Sequence, residues 1–119
     1  MNMIKNILVV EDDVVFCKLL TRFLDKNQYQ TQDAQSAKQA FGLLQEKSFD
    51  LAILDYRLPD DNGLSILKNI KKENKVGKVI IITRYGDEEV ASQAIELGAD
   101  AYISKPINPD ELLTVIRGL

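Results

Sequence analysis

The sequence predicts an α/β domain in which a doubly wound parallel sheet carries helices on both faces. Three observations predict it. Short apolar runs alternate five times with segments of helical period, the pattern of βα units. The runs Ile7–Val10, Leu51–Leu54 and Val79–Ile82 are apolar throughout, as strands covered on both faces must be. Reactive side chains follow the runs: Glu11-Asp12-Asp13, then Asp55, Thr83 and Lys105. In a parallel sheet the carboxyl ends of all strands share one edge, where ligands bind, so a single site is expected.

Each element has its own signals. The first strand, Ile7–Val10, leads to a helix whose Phe16, Leu19, Leu20, Phe23 and Leu24 form a stripe at i, i+3, i+4, i+7 and i+8, suited to packing on a sheet. The second strand, Tyr29–Gln32, mixes polar and apolar residues and belongs at an edge. Ser36-Ala37-Lys38-Gln39 is a capping box, in which each end satisfies an orphan backbone donor, and Ala40, Phe41 and Leu44 follow on the buried side. After the central strand Leu51–Leu54, a third helix starts near Gly63 with Leu64, Leu67 and Ile70. Lys68, Lys71, Lys72, Lys75 and Lys78 read as its solvated face and end, where cations favour the helix dipole; a docking surface is the alternative. The fourth strand, Val79–Ile82, leads to a helix from Asp87 that buries Val90, Ala91, Ala94 and Ile95 and stops at Gly98, which is free to take the left-handed cap. The fifth strand, Ala101–Ser104, is again mixed. Asn108 caps the last helix, with Pro109 at its first position and Asp110-Glu111 at its positive end. With strands two and five at the edges and right-handed crossovers, the order is 2-1-3-4-5, the flavodoxin-like (βα)5 arrangement. Chain direction reverses between strands one and three, and that crevice receives Asp12 and Asp55.

At 119 residues the chain suits one domain, residues 1–119, with a core that needs no disulfide or metal staple. A net charge of -3 gives no basic footprint for nucleic acid, so direct contact with DNA is not expected. One cysteine, Cys17, excludes a disulfide framework and multi-cysteine metal motifs; its place at the edge of the first helical stripe suits a small packing residue better than a redox sensor. The first apolar run is short and broken by Glu11, so neither a signal peptide nor a membrane span is expected and the cytoplasm is the expected location. The absence of histidine removes imidazole acid/base chemistry, imidazole metal ligation and any role as a phosphohistidine carrier.

Glu11, Asp12 and Asp55 crowd several carboxylates together, which raises their pKa values unless a cation compensates, and hard divalent cations prefer oxygen donors. A Mg²⁺ site follows, and Mg²⁺ binds through one or two carboxylates plus phosphate oxygens. Asp55 is then placed as a nucleophile that forms an acyl phosphate, with Lys105 neutralising charge and the Thr83 hydroxyl meeting another oxygen. Each group alone is ordinary; their coincidence at the strand ends carries the signal.

Ile7-Leu8-Val9-Val10-Glu11-Asp12-Asp13, Leu54-Asp55-Tyr56-Arg57-Leu58-Pro59-Asp60 with Gly63, Ile82-Thr83, and Gly98-Ala99-Asp100-Ala101-Tyr102-Ile103 before Lys105-Pro106 together resemble a bacterial two-component response-regulator receiver domain over essentially the whole chain. The resemblance implies Asp55 as phosphoacceptor, with a metal held by Asp12, Glu11, Asp55 and the Arg57 backbone carbonyl. The acidic triplet leaves the register open by one, so Asp13 is the alternative metal residue. Thr83 and Lys105 would hold the phosphoryl oxygens. The resemblance further implies a cis Lys105-Pro106 bond that aims the lysine inward, where Pro106 would otherwise simply end the strand. It also implies a switch in which Thr83 moves toward the phosphoryl group and Tyr102 turns inward, remodelling the surface of helix 4, strand 5 and helix 5; the alternative for Tyr102 is an edge aromatic whose hydroxyl meets water. Partners implied are a sensor histidine kinase and a second copy of the chain through that same surface, to which Val90, Asp100 and Arg117 belong. The residue after the switch threonine is usually small in this family, yet here it is Arg84. It either screens the site, contacts phosphate or lies along the surface with its charge in water.

Other classes of function stand beside this one. A receiver-like interaction module acting without phosphate is countered by intact Asp55, Thr83 and Lys105. A phosphatase with an aspartyl nucleophile needs a general acid where Arg57 stands. Dinucleotide binding lacks a Gly-rich first turn. The expected protein is therefore a signalling switch that catalyses only its own phosphorylation and dephosphorylation, either free-standing or as the receiver of a transcription regulator.

Overall fold

The computed structural model describes residues 2–84 and 86–119. Five strands alternate with five helices: β1 Asn6–Val10, α1 Val14–Lys26, β2 Gln30–Ala34, α2 Ala37–Glu46, β3 Phe49–Asp55, α3 Gly63–Glu73, β4 Val76–Arg84, α4 Glu88–Glu96, β5 Ala101–Lys105 and α5 Pro109–Gly118. All pairings are parallel, in the order β2-β1-β3-β4-β5. This is the expected flavodoxin-like arrangement.

The alternation of side chains along each strand divides the core in two. Leu8, Val10, Ala52, Leu54, Val79 and Ile81 face α2, α3 and α4. Ile7, Val9, Leu51, Ile53, Ile80 and Ile82 face α1 and α5. All twelve are wholly buried, so β1, β3 and β4 are the central strands. The edge strands each bury one residue, Ala34 in β2 and Ile103 in β5.

Four expectations shift. β3 and β4 extend beyond their apolar runs, which makes Asp55 the last residue of β3 and Thr83 the next-to-last of β4. β2 starts later than Tyr29, whose amide instead bonds the Leu24 carbonyl and closes the end of α1. On α1 the seat against the sheet is taken by Cys17 with Leu20 and Leu24, and Leu19 is 61% exposed; it lies about 100° round the helix from Leu20. In the same way Ala91 and Ala94 let α4 lie close to the sheet and leave Ile95 46% exposed.

The helix ends show why the segments start and stop where they do. Ser36 Oγ accepts from Gln39 N at 3.1 Å, but the Gln39 side chain accepts from Gln35 N at 2.9 Å, one residue before the donor that a capping box would use. Asn62 Oδ1 accepts from Leu64 N and Ser65 N, and Asn108 Oδ1 from Asp110 N and Glu111 N. Asp87 occupies the cap of α4 without a side-chain bond. Gly98 takes φ +103 after α4. Lys75 does not belong to a solvated face: its Nζ donates to the Leu44 carbonyl at 2.7 Å and satisfies the end of α2. Lys78 Nζ lies 3.9 Å from Asp100 Oδ1.

Candidate functional site

The ends of β1, β3, β4 and β5 meet at one edge of the sheet. Among the described residues the buried polar or charged side chains are Glu11, Asp55 and Thr83, and all three stand at that edge. Asp55 pairs in register with Ile82, Thr83 with Ser104 and Arg84 with Lys105. The β3–β4 ladder continues one step beyond Asp55, where Tyr56 N donates to the Ile82 carbonyl at 2.9 Å. Backbone bonding therefore fixes where the Asp55 carboxylate begins.

Lys105 reaches across from β5. Its Nζ donates to Glu11 Oε1 at 2.7 Å and to Asp55 Oδ2 at 3.1 Å. Burial alone would lower the pKa of this ammonium, but its bonds to the two carboxylates outweigh that and hold it above the ordinary lysine value, so it stays charged. The ammonium also lies 5.2 Å from the centroid of the Phe16 ring, a cation–π seat that the sequence reading assigned only to packing. The Lys105–Pro106 bond is cis.

The acidic triplet divides its labour. Burial first, and then Asp55 beside it, push the Glu11 carboxyl above its ordinary value. Asp12 is exposed at the rim; burial of its carboxyl and the neighbouring Glu11 raise it as well. Asp13 turns away to cap α1, accepting from Phe16 N at 3.1 Å, while its own amide donates to Glu11 Oε2 at 3.2 Å. Glu11, Asp12 and Asp55 each present an oxygen within 4.8 Å of the others. Such a set fits a hard divalent cation, because it offers oxygen donors only and because the raised Glu11 and Asp12 carboxyls gain from a nearby positive charge.

The loop after β3 holds the remaining parts. Arg57 forms an antiparallel bridge with Asn62, and its amide lies 3.4 Å from Asp55 Oδ1. Gly63 N donates to the Tyr56 carbonyl at 2.9 Å. A Cβ on Gly63 would come within 2.5 Å of the Asp55 carbonyl oxygen, so this position admits only glycine without a shift of backbone. Thr83 is 2% exposed and borders a cavity of about 270 Å³ together with Gly86, Ala91 and Tyr102. Tyr102 is 49% exposed beside it. Arg84 is exposed and lines a wider cleft with Asp13, Phe16, Lys105 and Pro106. Cys17 lies apart: its thiol is wholly buried and pushed up to about 12, by burial above all, which leaves it unreactive.

Comparison with known proteins bears on this geometry. The family model described as "Response regulator receiver domain" matches residues 7–117. The phosphate regulon transcriptional regulatory protein PhoB of Escherichia coli (strain K12) is 34% identical over 119 residues, covering 98% of this chain and 52% of PhoB. The chain thus spans about half the length of the curated relatives it matches. Among solved structures, the CheY-like receiver domain protein of Methanospirillum hungatei JF-1 superposes with a TM-score of 0.88 at 32% identity, covering 98% of this chain and 93% of that one. A response regulator from Burkholderia pseudomallei, described with a phosphorylated aspartic acid, a calcium ion and citrate, gives a TM-score of 0.85 at 30% identity, covering 94% of this chain and 66% of that one. No helix among the described residues is long and apolar enough to cross a membrane. Buried acidic residues and a bridging lysine at one edge of a 2-1-3-4-5 sheet, joined to a family match over nearly the whole chain, lead to one statement: the chain belongs to the response regulator receiver domain family, phosphorylation-activated signalling switches rather than classical enzymes.

Proposed function

We propose that Asp55 is the phosphoacceptor of this chain, in a reaction that uses Mg²⁺ and a sensor histidine kinase as donor. The observation that carries the reading is Lys105 bridging Glu11 and Asp55 at 2.7 and 3.1 Å. A carboxylate oxygen of Asp55 forms a bond to phosphorus as the P–N bond of the kinase phosphohistidine breaks, and the electron pair leaves with the imidazole. Glu11, Asp12, Asp55 and the Arg57 carbonyl would hold the cation, which supplies positive charge to the transferring oxygens. Lys105 exchanges its Asp55 bond for a phosphoryl oxygen and keeps Glu11 as its partner. Thr83 donates its hydroxyl to another oxygen. Hydrolysis reverses the modification when water attacks phosphorus, releasing phosphate and the free carboxylate.

Packing supports the switch that the family resemblance implies. Thr83 and Tyr102 border the same cavity, so movement of Thr83 toward the phosphoryl group makes room for the ring. Inward rotation of Tyr102 changes the surface of α4, β5 and α5, which would serve a second copy of the chain and an output. The chain acts as one domain, works in the cytoplasm and makes no direct contact with nucleic acid, as its acidic balance suggests.

The test is intact-protein mass spectrometry after incubation with acetyl phosphate and Mg²⁺. The expected result is a single phosphoryl adduct that Asp55→Asn abolishes and chelation prevents. Beryllofluoride, standing in for the phosphoryl group, is expected to shift the Tyr102 resonances and raise the hydrodynamic size. An adduct that persists in Asp55→Asn overturns the assignment, and an unchanged size removes the dimer alone.

A further inference from the structure

We infer that Asp60 is a positioning residue that fixes the β3–α3 loop, and with it the Arg57 carbonyl, against the loop bearing Glu11. This rests on the proposed cation site and adds a residue to it that touches neither cation nor phosphate.

Asp60 stands at the tip of the loop, between the strand that ends at Asp55 and the Asn62 cap of α3. Its two carboxylate oxygens accept from the first two amides of α2, Oδ1 from Ala37 N at 2.9 Å and Oδ2 from Lys38 N at 3.0 Å. These bonds hold the Asp60 carboxyl below its ordinary value. A charged acceptor on two helix N-terminal amides is the strong form of such a bond. On its other side the same stretch of chain holds the acidic loop, since the Ala34 carbonyl accepts from Glu11 N at 2.9 Å. The connection from Ala34 at the end of β2 to Lys38 in α2 is therefore a spacer between two loops: the Glu11 amide is bonded to its β2 end and the Arg57 loop, through Asp60, to its α2 end. The Arg57–Asn62 bridge makes the loop a narrow hairpin, so fixing its tip fixes its base.

α2 has a second cap that separates positioning from mere helix stability. Ser36 Oγ accepts from Gln39 N at 3.1 Å and has no bond to the β3–α3 loop. Removing it weakens the helix end without untying the hairpin.

The experiment is a calorimetric titration of the 119-residue chain with MgCl₂, paired with thermal unfolding in chelator. Asp60→Ala is expected to weaken Mg²⁺ binding about tenfold, the scale on which groups that orient metal ligands act. Ser36→Ala is expected to lower the Tm yet keep the Mg²⁺ Kd within about twofold of wild type. Asp60→Asn, which retains one acceptor oxygen, should fall between wild type and Asp60→Ala, and covers the case in which the alanine variant does not fold. The inference is overturned if Asp60→Ala or Asp60→Asn binds Mg²⁺ as wild type does, or if Ser36→Ala loses as much affinity. A wild-type chain that takes up no Mg²⁺ overturns the cation-site reading itself, and this inference with it.

Discussion

Gly63→Ala tests how tightly the backbone fixes Asp55. An ideal Cβ at position 63 would stand 2.5 Å from the Asp55 carbonyl oxygen and 3.1 Å from its carbon, and real Cβ atoms keep 3.0 Å or more. Relief to 3.0–3.4 Å requires a shift of roughly 0.5–0.9 Å between α3 and the end of β3. Both contacting groups belong to the backbone, so no rotamer change provides it. The Gly63 N–H bond to Tyr56, now 2.9 Å, must stretch or bend with the shift. Overpacking of this kind costs about 1–3 kcal/mol. Alanine returns up to about 1 kcal/mol through helix propensity, so the net loss is roughly 0–3 kcal/mol. At about 3–5 °C per kcal/mol for a domain of this size, the Tm should fall by no more than about 15 °C. The larger effect is on chemistry, because displacements below an ångström at a reacting carboxylate cost about tenfold or more in rate. Thermal unfolding by circular dichroism and acetyl phosphate labelling followed by mass spectrometry measure the two. A variant that labels at the wild-type rate refutes the claim that this contact sets the position of Asp55.

Two further outcomes are expected. Glu11 and Asp12 have folded pKa values above their ordinary 4.5 and 3.8, so the native state binds their protons more tightly than the unfolded chain does. That contribution to stability is complete below the ordinary values and is lost as pH rises through the raised ones. In chelator, the Tm difference between wild type and Glu11→Gln should therefore move against the wild type as pH increases from about 4.5 upward. A difference that is flat or moves the other way refutes the burial argument. The Asp60 shift runs in the opposite sense and falls below that window, being lost as pH drops through a pKa under 3.8. Arg84 lies on the cleft beside Lys105, where its charge attracts an anionic phosphodonor. Arg84→Ala should slow labelling by acetyl phosphate about two- to fivefold at low salt, with the gap closing as salt is added. Unchanged rates of labelling and of phosphoryl loss leave Arg84 a surface residue.

The sequence by itself determined the βα alternation, the three central strands and the meeting of Glu11, Asp55, Thr83 and Lys105 at one edge. These are legible because strand periodicity is local and because a parallel sheet with right-handed crossovers obliges every strand to end on the same side. Only the tertiary structure decided how the acidic triplet is used. Neighbouring residues at a strand-to-helix turn point in different directions, and Asp13 became the cap of α1 because the Phe16 amide needed an acceptor there. It also decided that Cys17 rather than Leu19 meets the sheet, that Phe16 lies under Lys105 and that Asp60 grips α2 from 22 and 23 positions away. Contacts between elements distant in sequence leave no period and no spacing to read, so they exist only once the chain has folded.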